Sequence, residues 1–187
     1  MNTQLHISRE TGSLREEVRP ARNSEQSTYA KKPEYGTGFW TSTWNPVQQT
    51  SAWVEWCHAN DFDDPYKKSW HLLQPKKTAR LYVIDNVLDL ADLLKYHSWV
   101  PPRFGKTELA MNPIMLRLFR GFDFETLSQF YDGLHLTAQG NDLLHLGHPL
   151  DMNAWDCESI LWFHWCFSSV ERIKTPFAPI DEEEEVS

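Results

Sequence analysis

Gly38-Phe-Trp-Thr-Ser-Thr-Trp44, then Asn45-Pro46, then Thr50-Ser-Ala-Trp53-Val-Glu-Trp56-Cys57 is the stretch on which the fold turns. Residues 38–44 are aromatic or β-branched, bounded by Gly36 and Gly38 on one side and Asn45-Pro46 on the other, which predicts a strand with turn punctuation. Thr50 and Ser51 are helix-capping residue types, and Trp53, Trp56 and Cys57 recur at i, i+3 and i+4. A short amphipathic helix is therefore expected next, with that face on the sheet.

Towards the N-terminus, Gln4 to Ser8 alternates apolar and polar residues and reads as a first strand. Residues 9–34 are rich in Arg, Glu, Ser and Lys and are expected to form a loop that builds no core, with one helical turn near Leu14 to Val18. Towards the C-terminus, residues 58–69 are turn-rich, and Trp70 to Leu73 and Ala79 to Ile84 read as strands. Asp85-Asn86 caps a helix whose Val87, Leu90, Ala91 and Leu94 share a face, ending near Tyr96. Pro101-Pro102 and Gly105 interrupt the chain, and Pro113 places the start of any helix in residues 108–119 around Asn112. Asp123 caps a helix carrying Phe124, Leu127, Phe130 and Tyr131, which Gly133 stops, and Leu134 to Thr137 reads as a strand. Residues 138–151 read as a Gly- and His-containing loop, Ser159 to Phe163 as the last clear strand, and Val170 to Ile173 as a short one beside it. This order lacks the regular βαβ alternation of a doubly wound sheet, so the class is α+β with a mixed or antiparallel split sheet and flanking helices.

Length and composition agree with one domain. The chain has 187 residues, 41% of them apolar, with nine Trp, enough for one aromatic-rich core. The division expected is residues 1–34 as a strand plus a flexible polar segment, 35–175 as the α+β domain and 176–187 as an acidic disordered tail. No apolar run reaches the ~18 residues of a membrane span, and MNTQLHISRE lacks the layout of a signal peptide, so a cytoplasmic protein with no membrane partner is expected. Cys57, Cys157 and Cys166 are odd in number and form no C-x-x-C pair, which suits reduced thiols. A net charge of −8 argues against a broad phosphate-tracking surface, although the acidic run Asp181 to Glu185 supplies part of it.

No Gly-rich phosphate loop, G-x-S-x-G or H-E-x-x-H motif is present. His135, His145, His148, Cys157, His164 and Cys166 are zinc-type ligands, but loop histidines are more often plain polar residues, and no metal site is assigned. Cys57 on an apparent core face, and Cys157 and Cys166 beside an aromatic strand, read as inert buried thiols rather than nucleophiles.

Three pieces remain: His6 in the first strand, Trp40-Thr-Ser-Thr43 in the second, and Trp155-Asp-Cys-Glu158 where the last clear strand begins. Together they resemble the ADP-ribosyltransferase superfamily, in which a His or Arg, an aromatic-x-Ser-Thr segment and a Glu opening a later strand surround the nicotinamide end of NAD. KP-x-x-G-x-x-WTS, YDG-x-HLT and WD-x-ES also look like a family of uncharacterised bacterial and phage proteins, over most of residues 31–174.

The resemblance implies NAD as substrate, with nicotinamide–ribose cleavage and transfer to water or to a macromolecular acceptor, a protein first and a nucleic acid second. It makes Glu158 the catalytic carboxylate, because bond breaking builds positive charge on the ribose. It gives His6, Trp40, Thr41, Ser42 and Thr43 to NAD binding, Ser42 to placing Glu158 or the ribose, and Trp40 or Trp44 to facing the nicotinamide. Asp156 stands where protein-modifying members often carry Glu or Gln, and is assigned to target recognition. Two alternatives stand beside this: a non-enzymatic interaction module, from the acidic balance and many Trp, and a scaffold that binds a nucleotide without turning it over.

Overall fold

The computed structural model describes residues 1–9, 13–24, 31–102, 120–145 and 152–176. The strands are β1 (Gln4–Ser8), β2 (Phe39–Asn45), β3 (Thr50–Ser51), β4 (Ser69–Pro75), β5 (Leu81–Ile84), β6 (Ser98–Trp99), β7 (Gly121–Phe122), β8 (Gly133–Leu136), β9 (Ser159–Trp162) and β10 (Phe167–Ile173). The helices are α1 (Ala52–Ala59), α2 (Val87–Tyr96), α3 (Phe124–Phe130) and α4 (Ala138–Leu144). The class is α+β with a mixed sheet, as the order of elements predicts. The tract at 108–119, the tail beyond residue 176 and His148 fall outside the described residues.

One eight-stranded sheet runs β10-β4-β1-β2-β9-β8-β5, with β3 paired to β2, and β6 and β7 form a separate two-stranded ladder. Every pair in the main path is antiparallel except β5 with β8. The first strand is thus an interior one, between β2 and β4. Its ladder to β4 runs from Gln4↔Leu73 to Ser8↔Ser69, whereas its ladder to β2 is confined to Gln4↔Thr43 and Leu5↔Ser42. Beyond Leu5, β1 and β2 separate, and the site is built at that divergence.

One core cluster joins Leu90, Leu93 and Leu94 of α2 and Phe124 and Leu127 of α3 to Leu134, Leu136 and Leu161 of the sheet. A second gathers Phe39, Leu73, Ile160, Trp162 and Phe167, and a third Leu5, Val54 and Trp70 under α1. The α2 start follows its sequence signal fully: Asn86 accepts from the Leu88 and Asp89 amides while Asp89 accepts from the Asn86 amide, a capping box.

Three local expectations are corrected. Ala138–Leu144 is a helix rather than loop, capped by Thr137, whose hydroxyl accepts from the Gly140 amide at 3.0 Å. Residues 14–18 hold no helical turn, and the polar stretch does build core: Ala21 is 3% exposed, Leu14 and Val18 pack on the Phe39 cluster, and Asn23 bonds the Phe122 carbonyl and the Phe124 amide. Helix α1 is rotated from expectation. Val54 and Cys57 face the interior, while Trp53 and Trp56 stack on each other at 5.3 Å and meet the edge of Phe62. Packing decided this, since a two-turn helix offers too little periodicity to fix its own rotation.

Candidate functional site

Where β1 leaves β2, Trp40 lies beyond the β1–β2 ladder, and His6 Nδ1 donates to its carbonyl at 2.8 Å. The His6 ring stacks on Phe39 at 4.2 Å, and desolvation lowers its pKa to about 4, so the imidazole is neutral at physiological pH. A cleft of about 760 Å³ opens along this divergence. Its wall includes His6, Trp40, Thr41, Ser42 and Asp156. Five of the seven residues that sequence reasoning put forward therefore meet at one opening, although they come from chain positions far apart.

Aromatic rings dominate the remaining wall. Trp40 sets its edge against Trp155 at 4.7 Å, and Trp53 and Phe62 close the other side. The Trp155 indole donates to the Lys31 carbonyl at 2.7 Å, which fixes that ring. Ser42 spends its hydroxyl as acceptor for the Trp53 amide at the start of α1, at 3.4 Å. Trp44 lies elsewhere, edge-on to Trp70. Charges line the rim in pairs: Lys32 with Asp156 at 3.1 Å, and Asp63 with Arg9 at 2.6 Å and Lys68 at 2.5 Å. Asp63 sits at φ 32° and Asp61 at φ 49°, in the left-handed region that non-glycine residues seldom occupy.

Glu158 and Thr43 do not line the cleft; Cys157 and Ser159, on either side of Glu158, do. The Glu158 side chain turns to the neighbouring strands and is only 7% exposed as a residue. Its Oε2 accepts from the Thr43 amide at 3.0 Å, and its Oε1 accepts from the Thr43 hydroxyl at 2.8 Å and from His135 Nε2 at 3.0 Å. It is Thr43, not Ser42, that holds this carboxylate. Behind Thr43 the donors continue in one direction: the Trp162 indole to the Thr41 hydroxyl at 2.9 Å, Thr41 to Gln4 Oε1 at 3.0 Å, and Gln4 Nε2 to Thr43 at 3.3 Å. A buried chain in which each member donates towards the next polarises its members and terminates on Glu158.

The other titratable groups take no part in this. Burial raises the Cys57 thiol to about 11 and drives Cys157 up as well, so neither is a thiolate at neutral pH. Among the described residues no group of three His, Cys, Asp or Glu side chains has metal-binding geometry; His145 donates to the Asn141 carbonyl and His164 to the Ser128 carbonyl.

Sequence reasoning did not find Gln4, His135, Trp53 or Phe62 as parts of this region. The signal for His135 was its position between Leu134 and Leu136, both fully buried, which turns it to the opposite side of the sheet. No helix among the described residues is long and apolar enough to cross a membrane. Compared with models of protein families, with curated proteins and with solved structures, the chain matches none.

Proposed function

We propose that this chain is an NAD-consuming enzyme of the ADP-ribosyltransferase type, which cleaves the nicotinamide–ribose bond and passes the ribosyl group to water or to a macromolecule. The observation that carries the reading is the Glu158 carboxylate, held by Thr43 and His135, with its chain neighbours Cys157 and Ser159 in the wall of the cleft that His6, Trp40, Thr41 and Ser42 line. The three motif-bearing strands β1, β2 and β9 stand side by side, which the reading requires.

The chemistry places demands that these groups can meet. A planar nicotinamide ring needs an aromatic wall, which Trp40, Trp53 and Trp155 supply. As the C1′–N bond breaks, its electron pair leaves with neutral nicotinamide and positive charge develops on the ribose. In this reading Glu158 stabilises that charge and a ribose hydroxyl donated to it orients the sugar, which requires the sugar to reach the carboxylate past Cys157 and Ser159 of the cleft wall. The acceptor oxygen then bonds to C1′ and gives up its proton to solvent. Asp156, paired with Lys32 in the cleft wall, is the residue this reading assigns to meeting the acceptor.

The test is nicotinamide release from NAD by the purified protein, with Glu158→Gln beside it. The expected result is release by the wild type and a rate lower by on the order of 10²–10³ in the variant. Equal rates would remove Glu158 from the chemistry, and no release from the wild type would remove the reading.

A further inference from the structure

The grip on Glu158 comes from both sides. Glu158 opens into β9, which lies between β2 and β8, and Thr43 of β2 and His135 of β8 both donate to it. An ionised carboxylate is acceptor-only, with about four acceptor positions over its two oxygens. Three are filled here. Among the described residues Oε1 holds both side-chain donors and Oε2 holds only the Thr43 amide, so the vacant acceptor position is on Oε2.

The Thr43 amide and hydroxyl reach one oxygen each and so set the carboxyl plane from the β2 side. His135 adds a second donor to Oε1 from the β8 side. Its ring stands between Val83 and Ile160 in the strand registers, and its side chain is 22% exposed. Among the described residues its one hydrogen-bond partner is Glu158. Since an ionised carboxylate can only accept, His135 carries a proton on Nε2.

Resting on the NAD reading of Glu158, we propose that His135 is a positioning residue: its Nε2–H, donated to Oε1, braces the carboxyl that Thr43 grips, so that the open Oε2 position is offered to a ribose hydroxyl. His135 itself touches no substrate in this scheme. The donor chain from Trp162 through Thr41, Gln4 and Thr43 then completes the orientation from the other side.

Two measurements test it together. Steady-state nicotinamide release is compared for wild type, His135→Ala and His135→Gln, the latter retaining an N–H donor. Loss of one hydrogen bond to a charged group is expected to lower kcat about 10- to 100-fold in His135→Ala, with KM little changed and partial rescue in His135→Gln. Histidine side-chain ¹⁵N spectra are then recorded for wild type and Glu158→Ala. The expected wild-type signature is a single Nε2–H tautomer for His135, lost in Glu158→Ala. Wild-type kcat in a folded His135→Ala, or a tautomer indifferent to Glu158, overturns the positioning role. A wild type that shows the Nε2–H tautomer yet releases no nicotinamide overturns the NAD reading instead, and with it the site to which His135 is assigned.

Discussion

At the scale of single residues, the neutral histidines of the sheet couple stability to pH. His6 has its pKa lowered from 6.5 to about 4 by desolvation, partly offset by its bond to the Trp40 carbonyl. His71, its register partner on β4, is 2% exposed, neither of its ring nitrogens has a hydrogen-bond partner among the described residues, and its pKa is lowered too. Between pH 6.5 and 4 the unfolded chain takes up a proton at His6 while the folded chain does not, and the lowered His71 acts in the same direction, so stability falls as the pH falls through that window. For His6 the full loss is on the order of 3 kcal/mol. Chemical denaturation at pH 7 and pH 4.5 is expected to show this slope, and His6→Asn to flatten it; an unchanged slope would place His6 in solvent. The candidate site was legible in parts: Glu158, His6 and the Thr-Ser-Thr segment carried motif signals. The roles of Thr41, Gln4 and His135 were not, because each depends on which residue the register sets opposite it.

Elements show a similar division. Strand β2 and helices α2 and α3 were legible because composition, caps and stop signals agree locally, as at Asn86 and at Asp123, whose side chain accepts from the Thr126 amide. Helix α4 was missed because AQGNDLL carries Gly140 and Asn141, poor helix formers that suggest a turn. The structure supplies the reason for Gly140: a Cβ there would lie 2.2 Å from the Ile84 carbonyl oxygen, so glycine lets α4 rest against the end of β5. Gly140→Ala gains helix propensity yet is expected to destabilise by about 3 kcal/mol, because backbone rather than a flexible side chain blocks the new methyl. A denaturation midpoint at or above wild type would show that α4 shifts freely.

For the whole molecule, the decisive arrangement is the interior position of β1, which the alternation of Gln4 to Ser8 announced as a strand without revealing its neighbours. A chain lacking residues 1–8 loses the strand between β2 and β4, the Gln4 link in the donor chain and His6 together. It is expected to show no cooperative thermal transition by circular dichroism. A sharp transition near the wild-type midpoint would mean that β2 and β4 close on each other unaided. The same placement bears on how the protein is made. Strand β4 takes its outer partner from residues 167–173, and β2 takes its from residues 159–162, so the sheet closes only through contacts between distant parts of the chain. Such topologies fold slowly. During translation residues 1–75 leave the ribosome with aromatic strand edges unpaired, and these have to be shielded until residues 159–173 follow.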